Sequence, residues 1–238
     1  LVARRGASAY APENTLAALR KTKRMGTNWV ELDVKLSKDG TPILYRHDTL
    51  DTFTNGSGRV CDHTFSELQQ LDAGSWFNNQ YAGEKIPALS EALSVVLNDQ
   101  LNLMLNLRPC PGREGETGKE VALLLQEMWP MNGQHILLAS HTPPALDAAR
   151  READHLPRAL CVDRLGYNIT GLMETLDCTS LHCNIEGLEE DLLHKLVADG
   201  VPIMVYPVDD ADIAQALFDF GVKGVFTTKP DQFGSLAA

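Results

Sequence analysis

The sequence predicts an α/β fold: a (β/α)8 barrel of the TIM type with a small loop-rich insertion after its third strand. Three observations lead there. Short apolar runs alternate with segments of helical periodicity along the whole chain, the pattern of parallel strands covered by helices. The 238 residues suit a single barrel domain spanning 1–238 rather than two smaller ones. A doubly wound open sheet would need a glycine-rich phosphate loop after an early strand, and Arg5-Gly6-Ala7-Ser8-Ala9-Tyr10 contains no G-x-G-x-x-G.

Residues 1–4 read as the first strand, and 14–25 as a helix stopped by Gly26. The run 29–34, WVELDV, carries Glu31 and Asp33 two residues apart, so strand alternation puts both carboxylates on one face. Two acids so placed repel, and a metal or basic side chains must stand between or opposite them. Lys38-Asp39-Gly40 marks a turn before the run 42–45. The gap is too short for a crossover helix, so that run returns as a hairpin and delivers Arg46, His47 and Asp48. The stretch 51–86 is a loop-rich excursion with one helical turn at 65–68, packed down by Trp76, Phe77 and Tyr81. Helices at 89–97, 118–128, 144–151, 169–175, 189–198 and 211–220 then alternate with strands at 101–107, 135–139, 158–162, 180–183, 202–206 and 224–226. That makes nine strands for a ring of eight. Either the hairpin return at 42–45 is the surplus one, or another short run lies outside the ring.

The chain carries 21 Lys and Arg against 32 Asp and Glu, a formal charge of −11. Counterion release at a nucleic acid needs clustered Lys and Arg, so no nucleic-acid partner is expected. A small anion is not excluded, because the local potential of a cleft can oppose the net charge. Cys61, Cys110, Cys161, Cys178 and Cys183 are an odd set without a C-x-x-C pair and read as free thiols of a reducing compartment. No apolar run approaches the ~18 residues of a membrane span, so no transmembrane segment and a cytoplasmic location are expected. The numbering opens at Leu1 rather than Met, which is compatible with a longer chain. A homo-oligomer is compatible as well.

Barrel chemistry gathers at the carboxyl ends of strands. There the sequence places Arg4, Arg5, Glu31, Asp33, Arg46, His47, Asn106, Arg108, Ser140, His141, His182, Asn184, Tyr206 and Asp209. Arg4, Arg46 and Arg108 serve either as ion-pair partners of the acids or as a guanidinium cluster gripping a phosphate, and the two roles are compatible. Alternation turns His47 away from Arg46 unless a bulge intervenes. His141 and His182 read as hydrogen-bonded core residues.

ARRG (3–6), APENT (11–15), ELDV (31–34), KDG (38–40), TLDTFTNGSG (49–58), LDAGSWF (71–77) and GEKIPALSEAL (83–93) occur in that order. Together they resemble the glycerophosphodiester phosphodiesterase family, with its HRG, PENT, E-x-D-V, KDG turn and HD-x-T-L-D-x-T-x-G-x-G. The resemblance implies a TIM barrel hydrolysing glycerophosphodiesters to glycerol 3-phosphate and an alcohol. It further implies a divalent cation, Mg2+ or Ca2+, and two histidines acting as base and acid. The family's first histidine falls on Arg4. Its second, aligned without gaps, falls on Arg46, with His47 one place on. The Glu and Lys of its N-I-E-I-K strand fall on Asn106 and Arg108, and the Asp of its T-D-x-P motif falls on Thr228.

The implied site therefore has Arg4, Arg46 and His47 at the catalytic positions, and Arg5, Glu13, Arg108 and Tyr206 around the substrate. Glu31, Asp33 and Asn106 surround a cation whose binding is weakened or lost. Arginine titrates above 12 and cannot shuttle protons at neutral pH. The expectation is a domain that binds a phosphate or phosphodiester and hydrolyses it poorly or not at all. Two alternatives stand beside it: an active metal-dependent phosphodiesterase using His47, His141 or His182, and a non-catalytic scaffold.

Overall fold

A computed structural model describes residues 1–130 and 133–237. Nine strands and eight helices run in the order β1 (Val2–Arg4), α1 (Leu16–Arg24), β2 (Trp29–Leu36), β3 (Pro42–Leu44), α2 (Phe65–Leu68), α3 (Leu89–Asn98), β4 (Asn102–Leu107), α4 (Glu114–Met128), β5 (Ile136–Ser140), α5 (Pro143–Glu152), β6 (Arg158–Val162), α6 (Ile169–Thr175), β7 (Ser180–Asn184), α7 (Glu190–Ala198), β8 (Ile203–Tyr206), α8 (Ala211–Phe220) and β9 (Gly224–Thr227). Eight strands pair in parallel as β1-β2-β4-β5-β6-β7-β8-β9. The ring closes where β9 returns to β1, with Val2 opposite Phe226 and Ala3 opposite Thr227. The surplus strand is β3, antiparallel to the end of β2 through Val34 opposite Leu44. Among the described residues no helix is long and apolar enough to cross a membrane.

The strands read as near-continuous apolar runs because both of their faces are covered. On the outer face Leu32, Leu103, Leu105 and Leu138 pack against Leu93, Val121 and Ala149 of the helices. Helices α4 and α5 meet so closely that a Cβ on Gly118 would lie 2.1 Å from the carbonyl oxygen of Ala145. Inside the ring, Val2, Met104, Leu137 and Phe226 fill the centre. They are joined by three small residues, Ala139, Ala159 and Cys161, which leave room above them. The insertion buries its own cluster of Tyr45, Leu50, Val60, Leu68 and Ile86. Tyr81 ties it to the body by donating to the Tyr10 carbonyl at 2.7 Å.

Helix α1 starts at Leu16, two residues later than its periodicity suggests. Asn14 is left-handed at φ 56°, and Thr15 caps the helix by accepting from the Ala18 N–H. Helix α4 starts at Glu114, four residues early, because its first turn is polar and partly exposed and carries no apolar periodicity.

Candidate functional site

The carboxylates of Glu31 and Asp33 point the same way from β2, and their partners converge from three elements. Asn106 on β4 donates from Nδ2 to Asp33 Oδ1 at 2.9 Å and to Glu31 Oε1 at 3.5 Å. The Arg5 backbone N–H donates to Glu31 Oε2 at 2.9 Å. Asn14 donates to Asp33 Oδ2 at 3.0 Å and accepts the Asp33 N–H at 2.9 Å. The cation that the paired acids demand is Arg5, whose guanidinium pairs with Glu13 and lies 3.4 Å from Asp33. Arg108 approaches Asp33 only to 3.9 Å. Burial, followed by the Asp33 charge, pushes the Glu31 carboxyl up to about 7. Glu13 is held below its ordinary range: burial opposes this, but hydrogen bonds from His47 and Arg5 outweigh it.

Arg4 and Arg46 behave differently. Arg4 stands opposite Glu31 in the β1–β2 register, yet its guanidinium rests 5.5 Å over the Tyr206 ring. Among the described residues neither Arg4 nor Arg46 makes a side-chain hydrogen bond or ion pair. Both line a cavity of about 330 Å³ in the barrel mouth together with Glu31, Asn106, Arg108, His141, Asp163 and Tyr206, backed by Met104, Ala139, Cys161 and Phe226. Burial, then the adjacent Arg5 charge, lowers Arg4 below the ordinary arginine value, a penalty that an anion in the cavity would relieve.

A second, more open groove of about 370 Å³ adjoins the first. Arg46, Arg108 and His141 line both, and His47, Asp48, Leu107, Pro109 and Thr142 complete its walls. Here the expectation for His47 is corrected. Strand β3 ends at Leu44 and residues 45–48 are irregular, so alternation lapses and His47 shares the groove with Arg46. Its ring stacks on Phe53 at 4.1 Å, and Nε2 lies 3.3 Å from Glu13 Oε1.

The other two histidines are committed. Arg108 donates to His141 Nδ1 at 3.0 Å, so the ring proton sits on Nε2 and is donated to Tyr206 Oη at 2.8 Å. Tyr206 in turn donates to the Val162 carbonyl at 3.0 Å. Burial and then the Arg108 charge lower His141. His182 is 2 % exposed, lies 3.3 Å from Ser180 Oγ, and is pushed down to about 3 by burial and then by His141. Of the residues expected around a substrate, Arg108 and Tyr206 line the main cavity, whereas Arg5 and Glu13 bond each other behind its wall.

Glu31, Asp33 and Asn106 form an all-oxygen set of the kind that suits a hard cation. Asn106 Oδ1 is buried without a hydrogen-bond partner. Turning that amide over would bring Oδ1 to the position from which Nδ2 now meets both carboxylates. The residues present therefore fit Mg2+ or Ca2+, with two charged ligands and one neutral one.

The model of the glycerophosphoryl diester phosphodiesterase family matches residues 5–232. The chain belongs to that family. A glycerophosphodiester phosphodiesterase of Bacillus subtilis is 28% identical over 98% of this chain and 84% of its own length, and one of Caldanaerobacter subterraneus is 29% identical over 97% and 94%. Among solved structures, an Oleispira antarctica phosphodiesterase in complex with the product sn-glycerol-3-phosphate is 34% identical, with a TM-score of 0.94 over 98% of this chain and 94% of that one.

Three contributors escape a sequence reading of this family member. Asn14 clamps Asp33 on both sides; it lies within APENT, but that motif does not show which residue it holds. Asp163 lies 3.5 Å from His141 Nε2 and stands beyond the end of β6 without any motif. Lys35 follows Glu31 and Asp33 on the same strand face but is fully buried. Its ammonium donates to Asp48 at 2.9 Å and to the His47 carbonyl, holding the Arg46–Asp48 turn in place.

Proposed function

We propose that this barrel binds the phosphate of a glycerophosphodiester, or of glycerol 3-phosphate itself, between Arg4, Arg46 and Arg108, and hydrolyses the diester poorly or not at all. The observation that carries the reading is the pair of half-buried guanidiniums, Arg4 and Arg46, which have no carboxylate partner among the described residues and share a cavity with Arg108. A tetrahedral anion supplies what they lack, through charge-assisted and bidentate hydrogen bonds. The glycerol 3-phosphate bound by the Oleispira phosphodiesterase supports that choice of anion.

Turnover is limited by proton transfer. Arg4 and Arg46 stay charged at neutral pH, and each lost general acid or base forfeits about 10²- to 10⁴-fold. His141 presents its Nε2 proton to Tyr206, with Nδ1 occupied by Arg108, and His182 is neutral and enclosed. Glu31, Asp33 and the Asn106 amide oxygen would hold a divalent cation, which when bound would polarise the phosphoryl oxygens.

Glycerophosphocholine incubated with the purified protein and Mg2+ or Ca2+, with choline release followed over time, tests the reading. Negligible release alongside calorimetric binding of sn-glycerol 3-phosphate is expected. Release at tens per second, within the ordinary range for enzymes, would overturn it. A second reading has support from His47, which shares the groove with Arg46 and is oriented by Glu13. In that case His47 protonates the leaving alcohol, and the choline release that the wild type shows disappears in His47→Ala.

A further inference from the structure

What the second alcohol of a bound diester meets follows from the way the two cavities join, and the inference rests on the phosphate reading above. Arg46 and Arg108 line both cavities, so a phosphate they hold sits at the junction. One ester arm then extends inward toward Met104 and Phe226, and the other outward into the groove.

The groove is lined by a single acid, Asp48, and its carboxylate is already taken by the Lys35 ammonium at 2.9 Å. Arg46 has no carboxylate partner among the described residues, and Arg108 meets Asp33 only at 3.9 Å. The groove therefore carries uncompensated positive charge within a chain of formal charge −11. Among the described residues no Trp, Tyr or Phe lines it, so an ammonium arm would find repulsion and none of the aromatic faces that hold cations well. An apolar arm would find little more than Pro109 and Leu107.

The geometry points to a glycerol phosphodiester whose outer alcohol carries a second phosphate as the ligand this groove prefers. One opposite charge at about 6 Å and an effective dielectric of about 40 favours binding by a factor of about ten. Such a ligand can come from a deacylated anionic phospholipid or from a phosphate-bearing inositol diester.

The test is calorimetry on the whole chain with four probes: sn-glycerol 3-phosphate, glycerophosphocholine, bis(glycerophospho)glycerol and glycerophosphoinositol 4-phosphate. At least one doubly phosphorylated probe is expected to bind about tenfold tighter than glycerophosphocholine, and the tighter of the two identifies the source. The gap should close at about 0.5 M salt as the charges are screened. Thr142→Asp adds a carboxylate to the groove wall at the N-cap of α5, where Asp is a favoured residue. It should erase the preference, whereas Thr142→Asn, equally suited to the cap and uncharged, should keep it. Glycerophosphocholine binding as tightly as both doubly phosphorylated probes, while glycerol 3-phosphate still binds, would overturn this inference and leave the phosphate reading standing. Failure of all four probes to bind would overturn both.

Discussion

Replacing Glu31 by Gln tests the electrostatics of the mouth directly. The Glu31 side chain is buried, at 6 % exposure, and burial together with Asp33 moves its carboxyl from an ordinary 4.5 to about 7. At roughly 1.4 kcal/mol per pH unit, that displacement corresponds to about 3 kcal/mol. The folded value lies above the unfolded one, so the folded state binds more protons between the two. The wild type is then unpenalised below about pH 4.5 and loses stability as pH rises, until the cost levels off just above 7. Gln keeps an acceptor for the Arg5 N–H and never ionises. Urea denaturation at pH 5, 6, 7 and 8 should therefore find Glu31→Gln drawing ahead of the wild type with rising pH, by about 2–3 kcal/mol between pH 5 and pH 8. Mg2+ should narrow the difference at pH 8 by stabilising the ionised carboxylate. A difference that stays flat within about 0.5 kcal/mol across that range would mean Glu31 is ionised throughout, and the account of burial and the Asp33 charge raising its carboxyl would be wrong.

Arg46→Ala removes a side chain with no hydrogen-bond or ion-pair partner among the described residues, so its unfolding free energy should stay within about 0.5 kcal/mol of wild type, while affinity for glycerol 3-phosphate falls roughly tenfold to a hundredfold by calorimetry. Restoring proton shuttles and a third acidic ligand together, with Arg4→His, Arg46→His and Asn106→Glu in one chain, should raise Mg2+-dependent choline release from glycerophosphocholine by about 10³-fold or more over the starting protein. Either histidine alone should recover little. His182 is held neutral by burial, at about 3, under an unfolded value near 6.5. Its contribution is intact above pH 6.5 and erodes as pH falls towards 3, so the stability gap between wild type and His182→Gln should narrow by about 2 kcal/mol from pH 7.5 to pH 5 in denaturant titrations.

The ring was legible because parallel strands buried on both faces betray themselves as apolar runs. β4 is read to within one residue, β2 starts where expected and runs two residues further to Leu36, and a five-residue gap with a Lys-Asp-Gly turn leaves no room for a crossover before β3. The acid pair was legible for the same reason, since period-two geometry holds throughout β2. Where regular structure stops, so does the inference. His47 lies three residues beyond β3, so its direction depends on a turn that Lys35 holds from beneath. A lysine in an apolar strand gives no sign that it is fully buried. Asn14 works through backbone and side-chain hydrogen bonds to a residue 19 positions away, a pairing that no local pattern encodes. The choice of Arg5 over Arg4 as the partner of Glu13 and Asp33 was invisible too: both sit in the same ARRG, and only the left-handed turn of Arg5, at φ 56°, separates their directions.

The seam between the first and last strands has a consequence for synthesis. Arg4 sits on a three-residue strand held on one side by β2 and on the other by β9, the last strand in chain order among the described residues. Glu31 and Asp163, the acids that line the mouth, both precede β9 in the chain, so they are synthesised before the strand that locks Arg4 into position. Capture of an anion must wait for β9 to dock, so retention on a phosphate resin would report ring closure and separate closed barrels from those in which β9 is not yet paired.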